Sequence, residues 1–269
     1  MSAIRLSAAM MAHPQRAELA EQIRAQLDRD VPVTWDESGS RWDTGRRAML
    51  AYDPACSHHA VIQDDVIPCR DLFAGLEVAL QHVPTDVPVC GYLGRIRPYA
   101  DLVTYAAARA RRGGASWLTL HFLGWGPLVV VPTHLIPEMV AYCDKLRDIP
   151  NYDRRLSRFF ELERGVPTWY TWPSLVDHAD GPSLVPGRIS TDRAKRAHTR
   201  VAHTFLGAEA SALDVDWSGS VVNAEEGASD VVVYRNRHTG LVLRLKPASP
   251  RARRLCGLPS WDLLEEAKA

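Results

Sequence analysis

The sequence of 269 residues lacks any long hydrophobic run. Its apolar stretches, of which residues 128–131 (LVVV) are an example, have the length of a strand. A membrane-spanning helix needs about 20 apolar residues. The apolar stretch near the N-terminus is broken early by His13-Pro14, which is not typical of a signal peptide. We therefore expect no membrane partner and a cytoplasmic location.

An excess of charge of either sign is also missing, because 32 basic residues balance 32 acidic ones. A net charge of zero excludes a whole-molecule field that would attract nucleic acid. Basic residues still cluster locally, at 109–112, 193–200 and 251–254. Such runs are more often solvated helix faces than binding surfaces.

Two motif classes are absent as well. None of the five cysteines has the close spacing of a zinc knuckle or a redox pair, so we expect reduced thiols of a cytosolic protein. The turn after the first predicted strand, residues 12–16 (AHPQR), contains no glycine. This counts against a nucleotidyltransferase, a related class that uses acidic residues with Mg²⁺ and normally has a Gly-rich loop there.

The pattern that is present alternates strand and helix. Apolar and β-branched runs predict strands, and a four-residue apolar spacing predicts the first helix. In chain order, the predicted elements are strand 4–12, helix 16–27, strand 31–35, helix 42–52, strand 60–62 and helix 69–81. This order is the signature of an α/β fold, here a three-layer mixed sheet with Rossmann-like alternation.

The last quarter of the chain changes character. Residues 207–229 are small, polar and acidic, which predicts a linker after a main domain of residues 1–206. Residues 230–269 form the third predicted unit, a small tail. It would consist of a β-hairpin with arms 231–234 and 241–245, followed by helical pieces at 249–256 and 260–267.

Three candidate sites with acidic or imidazole side chains lie at the ends of predicted elements or in loops. Asp64 and Asp65 follow a buried strand in HHAVIQDDVIP, residues 58–68. Adjacent carboxylates repel unless a cation or donor group neutralises them, and strand ends are where α/β sheets bind ligands. Asp153 lies at a predicted helix start, and His178 lies in a loop. Oxygen donors suit Mg²⁺, and one imidazole shifts the preference toward Mn²⁺.

Each of these candidate sites can also be explained by a structural role without any chemistry. Asp64 would cap the helix that follows, Asp153 would be an N-cap, and His178 would be a surface histidine. The residues alone leave both interpretations open.

The order of these pieces resembles the GT-A class of nucleotide-sugar glycosyltransferases, in particular the inverting kind and its short phage-encoded members. The segments that carry the resemblance are LSAAMMAHPQR, VTWDESG, RWDTGRRAML, HHAVIQDDVIP, GWGPLVVVPTHLI, NYDRRLSRFF and WPSLVDHADGPSLV, which together span roughly residues 4–206. Two features depart from the family. The acidic motif reads Gln-Asp-Asp rather than Asp-x-Asp, and Asp153 alone stands where an acidic pair is usual.

The resemblance implies a UDP-sugar or similar donor and a Mn²⁺ or Mg²⁺ ion. It implies Asp65 and His178 as metal ligands and Asp153 as the general base. The residues implied in nucleotide-sugar binding are Arg16, Asp36, Trp42, Arg46, Asp64 and Ser183. If the chain is phage-encoded, it would act in the host cell cytoplasm.

The short phage-type relatives are associated with two acceptor classes. One is the hydroxymethyl group of a modified pyrimidine in DNA, and the other is a virion protein or a glycan. Candidate acceptor contacts are Trp125, Trp169, Trp172, Arg193 and Arg196, with core packing as the alternative for the tryptophans. A non-catalytic module that binds a nucleotide or nucleic acid is the remaining alternative.

Overall fold

The structure is a computed structural model that describes residues 4–94, 100–179, 184, 202–225, 232–236, 242–245 and 261–266. Its strands are β1 (Leu6–Ala12), β2 (Val33–Trp35), β3 (His58–Gln63), β4 (Val66–Pro68), β5 (Val89–Cys90), β6 (Ala115–Leu120), β7 (Leu128–Pro132), β8 (Thr168–Thr171), β9 (Val176–His178), β10 (Ser220–Asn223), β11 (Val232–Asn236), β12 (Val242–Leu245) and β13 (Trp261–Glu266). Its helices are α1 (Ala17–Arg24), α2 (Arg41–Leu50), α3 (Leu72–Ala79), α4 (Ala100–Gly113), α5 (Ile136–Cys143) and α6 (Tyr152–Arg158), and a π-helical turn (Phe159–Glu163) continues α6. Among these described residues, no helix has the length and apolar character of a membrane span.

A mixed sheet of eight strands forms the centre of the molecule, in the order β10-β6-β8-β5-β7-β3-β1-β2. The pairs β10–β6, β8–β5, β3–β1 and β1–β2 are parallel, and the other three pairs are antiparallel. Because β1, β2 and β3 are parallel neighbours, their carboxyl ends meet at one edge of the sheet. That edge is where doubly wound sheets bind ligands.

Two apolar cores lie on opposite faces of this sheet. Successive strand side chains point to opposite faces, so Met10 and Ile62 pack in one core while Ala9 and Val61 pack in the other. Helices α1, α3 and α4 contribute to the first core, and α2, α5 and α6 contribute to the second. The predicted three-layer mixed α/β architecture is therefore confirmed.

Local sequence explains where helix α2 begins. The hydroxyl of Ser40 accepts a hydrogen bond from the backbone N–H of Asp43, which satisfies one of the open donors of the first turn. Helix α1 is amphipathic, and Ala20 and Ile23 form its buried face.

The linker prediction for residues 207–229 is wrong for the described part, residues 207–225. Ser220–Asn223 forms β10 at the edge of the main sheet, and Trp217 is buried with its indole N–H donated to the carbonyl of Ala212. Ala212 in turn packs against Gly75 of α3. Apolar residues in this segment occur singly or in pairs between acidic and small polar ones, so no run of strand length indicated that they are buried.

The tail contains the predicted hairpin, in which β11 and β12 pair antiparallel with Val232 opposite Leu245. The predicted helix over 260–267 is wrong, because Trp261–Glu266 is strand β13 and pairs with β11. Leucine and glutamate favour helix, but pairing with a neighbouring strand overrides a weak local preference. The predicted helix over 249–256 lies outside the described residues.

Candidate functional site

The acidic pair follows strand β3, at the edge of the sheet where the carboxyl ends of β1, β2 and β3 meet. β3 ends at Gln63, whose N–H donates to the carbonyl of Pro127, and Asp64 and Asp65 form the turn into β4. Asp64 is buried, and the side chain of Asp65 is 18% exposed. Two adjacent carboxylates with so little exposure to solvent require a counter-charge.

Arg16 supplies that counter-charge from within the chain. Its Nη1 atom lies 3.0 Å from Oδ1 of Asp64 and 2.7 Å from Oδ2 of Asp65. The turn Pro14–Arg16 that follows β1 positions the guanidinium. Burial lowers the pKa of Arg16, but the charges of Asp65 and Asp64 outweigh burial and leave that pKa above its ordinary value.

Asp64 has both carboxylate oxygens in use. Oδ1 accepts from Arg16, and Oδ2 accepts from the backbone N–H of His13 at 2.7 Å. Burial raises the pKa of Asp64, while the His13 N–H opposes that rise. Asp64 does not cap the next helix, because Asp28 accepts the first N–H groups of α3, from Phe73 and Ala74. Asp64 therefore fixes the turn after β1 to the end of β3.

Asp65 retains one oxygen for other chemistry. Its Oδ1 atom is buried and has no hydrogen-bond partner among the residues that the structure describes. Nδ1 of His178 lies 3.7 Å from this oxygen. His178 is brought there by the short antiparallel pairing of β4 with β9, in which Val66 lies opposite His178. The buried ring of Tyr92 packs edge-on against the imidazole, with centroids 5.4 Å apart.

These two donors fit a hard divalent cation. One carboxylate oxygen and one imidazole nitrogen 3.7 Å apart can share an ion that each would bind at about 2.0–2.3 Å, with the ion replacing the 3.2 Å contact of Nδ1 with the carbonyl oxygen of Asp65. Within the described ranges, no group of three or more His, Cys, Asp or Glu side chains converges as a metal centre. Water and substrate phosphate would therefore complete the shell, as is usual for Mg²⁺.

Asp153 lies in the first turn of α6 and is half-buried. The helix begins after Asn151, so Asp153 is not the N-cap residue. Next to it, the buried hydroxyl of Tyr152 donates to the carbonyl of Gly126. Burial raises the pKa of Tyr152 well above its ordinary value, and the charges of Asp153 and Asp65 raise it further. Both carboxylates thus lie within electrostatic range of the same phenol.

Asp36 directly follows β2, which lies two strands from β3, at the same edge of the sheet. Its backbone N–H donates to the carbonyl of Ala12. Its carboxylate accepts from the N–H groups of Ser38 and Gly39 and so shapes the loop before α2. The structure thus places Asp36, Asp64 and Asp65 along one edge.

Trp42 and Arg46, in contrast, are not brought to the acidic pair. Trp42 is buried, and both residues bind the carboxylate of Asp144, which follows α5. The guanidinium of Arg155 from α6 lies 4.8 Å over the ring of Trp42. Because these contacts join α2 to α5 and α6, the predicted nucleotide contacts of Trp42 and Arg46 have no support in this geometry.

The three candidate acceptor tryptophans differ in exposure. Trp125 and Trp172 are 3% and 6% exposed, which leaves too little ring surface to stack a ligand from solvent. Core packing, the alternative interpretation, describes both. Trp169 is half-buried and packs against Trp117. The predicted contacts Ser183, Arg193 and Arg196 lie outside the described residues.

Sequence reasoning did not identify several residues that shape the site. His13, Tyr92 and Tyr152 touch or flank the acidic pair and its partners only through folding. The glycine at position 126 is explained by the same contact, since a Cβ there would lie 2.8 Å from the Tyr152 ring. That Arg16 binds both carboxylates at once was also not predicted.

Comparisons with known proteins find likeness in structure but none in sequence. No model of a protein family matches the chain, and no curated protein matches its sequence. Among solved structures, the chain is similar to a mutant Drosophila β-1,4-galactosyltransferase 7 in complex with manganese, UDP-Gal and xylobiose. The identity is 9%, the TM-score is 0.39, and the match covers 81% of this chain and 93% of that one.

Proposed function

We propose that this chain is a metal-dependent glycosyltransferase that moves a sugar from a nucleoside diphosphate sugar, UDP-linked by analogy with the family it resembles, to an acceptor hydroxyl. One observation carries the proposal. Asp65 and His178, which the sequence resemblance assigned to the metal, lie 3.7 Å apart at the edge where the carboxyl ends of β1, β2 and β3 meet, and Asp65 Oδ1 has no hydrogen-bond partner in the described part of the chain. A buried carboxylate oxygen without a donor is unusual in a folded protein.

The donor would lie along the carboxyl ends of β1, β2 and β3. We expect Arg16 to contact the diphosphate, and we expect Asp36, which follows the outer strand of the three, to contact the nucleoside. Ser183 is proposed as a further diphosphate contact from outside the described residues. A bound divalent cation would neutralise the charge that develops on the leaving diphosphate.

The chain's own residues would perform the remaining chemistry. Asp65 and His178 hold the ion, and Arg16 keeps the acidic turn in place. Asp153 accepts the proton of the acceptor hydroxyl while that oxygen forms a bond to the anomeric carbon. The bond from the anomeric carbon to the diphosphate oxygen breaks on the opposite side, with inversion. The transition state is oxocarbenium-like, as in glycoside hydrolysis.

The acceptor is proposed to be the hydroxymethyl group of a modified pyrimidine in DNA. The support is the basic sequence at 193–200 and 251–254, which suits phosphate contacts. A target base in a duplex would have to be flipped out of the stack. A virion protein or a glycan is the alternative acceptor, and the zero net charge favours it.

A second candidate function is a non-catalytic module that binds a nucleotide. The observation in its favour is the double ion pair of Arg16, which neutralises Asp64 and Asp65 without any metal. In that case the acidic turn would be a structural element, and removing the charge of Asp65 would leave ligand binding unchanged.

Calorimetric titration with UDP-, GDP- and TDP-sugars, in Mn²⁺, in Mg²⁺ and without metal, separates the two functions. The variant is Asp65→Asn, and the matched control is Asp86→Asn, an exposed carboxylate paired with His134. The glycosyltransferase proposal expects metal-dependent binding of one donor, weakened about tenfold or more by Asp65→Asn alone. Metal-independent binding that Asp65→Asn does not weaken would favour the binding module.

A further inference from the structure

The acidic turn already contains a cation, the guanidinium of Arg16. Its side chain is 14% exposed, and the side chains of Asp64 and Asp65 are 7% and 18% exposed. A single nitrogen, Nη1, contacts both carboxylates. A charge shared in this way, with little water around it, is screened weakly.

The two carboxylates differ in how many of their oxygens accept hydrogen bonds. Asp64 has both oxygens in use, from His13 and Arg16, and its position is fixed by the backbone of the turn. Asp65 is held by Arg16 through Oδ2 only, and its Oδ1 faces His178. A divalent ion at Oδ1 would therefore bind the same carboxylate as the guanidinium, next to a like charge.

From this arrangement we infer that Arg16 is a specificity-determining counter-cation. It keeps the affinity of Asp65 and His178 for a free divalent ion low, and it makes metal binding depend on an anionic diphosphate ligand. A diphosphate at this edge offers Arg16 a second anion to bind and offers the ion additional oxygens. The metal and the diphosphate then bind together rather than separately. This inference rests on the proposed metal-dependent function.

The test measures metal binding, not turnover. Mn²⁺ is titrated into the full chain, followed by the paramagnetic resonance signal of free Mn²⁺, for the wild type and Arg16→Gln. The matched control is Arg24→Gln, which removes the same charge from an arginine that is 30% exposed and paired with Glu21 and Asp30. We expect Arg16→Gln to bind Mn²⁺ about tenfold more tightly than the wild type, and Arg24→Gln to bind it like the wild type.

A second measurement covers the case in which Arg16→Gln is poorly folded. Arg16 is the arginine that pairs with both carboxylates of the acidic turn, so Mn²⁺ should raise the thermal unfolding midpoint of the variant that lacks it and leave that of the wild type nearly unchanged. The double variant Arg16→Gln, Asp65→Asn should lose the stabilisation. Equal Mn²⁺ affinity in Arg16→Gln and the wild type, or a variant that Mn²⁺ does not stabilise, would overturn the inference.

Repeating the titrations with UDP present separates this inference from the proposed function. If the wild type binds Mn²⁺ with UDP but Arg16→Gln binds Mn²⁺ alone no more tightly than the wild type does, only the role of Arg16 is wrong. If neither protein binds Mn²⁺ with or without UDP, the metal-dependent function is wrong and the role of Arg16 is rejected with it.

Discussion

His178 and Asp65 lie 113 positions apart in the chain, yet Nδ1 of His178 is 3.7 Å from Oδ1 of Asp65 and 3.2 Å from the Asp65 carbonyl oxygen. The register of β4 against β9, with Val66 opposite His178, fixes this relationship. A slip of one residue would turn the imidazole to the other face of the ribbon. The backbone pairing of two three-residue strands thus positions the proposed metal ligands.

Replacing His178 by alanine should weaken metal-dependent donor binding about tenfold or more, because one of the two proposed protein ligands is lost. His134→Ala is the matched control, since His134 is exposed and bonds only to Asp86 among the described contacts. Calorimetric titration of the donor with Mn²⁺ measures the effect. Equal weakening by both variants, or by neither, would contradict the proposed role of His178.

Tyr152→Phe should destabilise the fold by about 1–3 kcal/mol, because the buried carbonyl of Gly126 loses the phenol that donates to it. Tyr142→Phe, at a partly buried tyrosine of α5, should change the free energy of unfolding by less than about 0.5 kcal/mol. Urea denaturation of both variants checks the difference. A Tyr152→Phe protein as stable as the wild type would show that the hydroxyl contact adds nothing.

Two glycines test whether residues 207–225 belong to the main domain. A Cβ on Gly75 of α3 would lie 2.3 Å from the Cβ of Ala212, so Gly75→Ala should cost about 1–3 kcal/mol. A Cβ on Gly113 at the end of α4 would meet nothing closer than 3.9 Å, so Gly113→Ala should be neutral or slightly stabilising. The comparison uses urea denaturation midpoints. If the two variants are equally stable, Ala212 does not pack on α3.

The stability of the protein should fall in mild acid because two buried histidines are neutral in the folded state. Burial lowers the pKa of His58 and of His59 to about 4, from 6.5 in the unfolded chain. The unfolded state therefore binds more protons below pH 6.5, and stability is lost as the pH falls from 6.5 toward 4. At pH 5 the loss should reach about 2 kcal/mol for each imidazole.

His59→Gln isolates one of these contributions. In the wild type, Nε2 of His59 contacts the carbonyl of Ala48 and Nδ1 contacts the hydroxyl of Ser7, a pattern that a neutral ring satisfies. Denaturation between pH 7.5 and pH 5 should show a shallower decline for the variant than for the wild type. Parallel declines would mean that His59 does not titrate in this range.

The mixed α/β architecture and the position of the acidic pair could be predicted from the sequence, because both follow from short, continuous stretches of the chain. Strand and helix periodicity marks the alternating elements, and Asp64-Asp65 follows an apolar run directly. The strand β10 and the burial of Trp217 could not be predicted in this way. Their partners, β6 and α3, lie far away in the chain, and the apolar residues of the segment itself are interrupted by acidic and small polar ones.

The burial of the aromatic residues also could not be predicted from the sequence. Trp125 was a candidate for ligand contact because a tryptophan ring stacks well on sugars and bases, and the family resemblance implied Trp42 in nucleotide-sugar binding. Whether a ring faces solvent or a neighbouring helix depends on which helices pack together, and here Asp144 and Arg155 cover Trp42.

Residue type and periodicity are local properties of the chain, and they were enough to predict the layered α/β fold, the carboxylates at the end of β3 and the histidine proposed to join them. Three further features arise only on folding: Arg16 neutralises both carboxylates, Asp65 keeps one oxygen for another ligand, and β4–β9 pairing brings His178 to it. These contacts join residues that are distant in the chain, and their strength depends on the burial that folding creates.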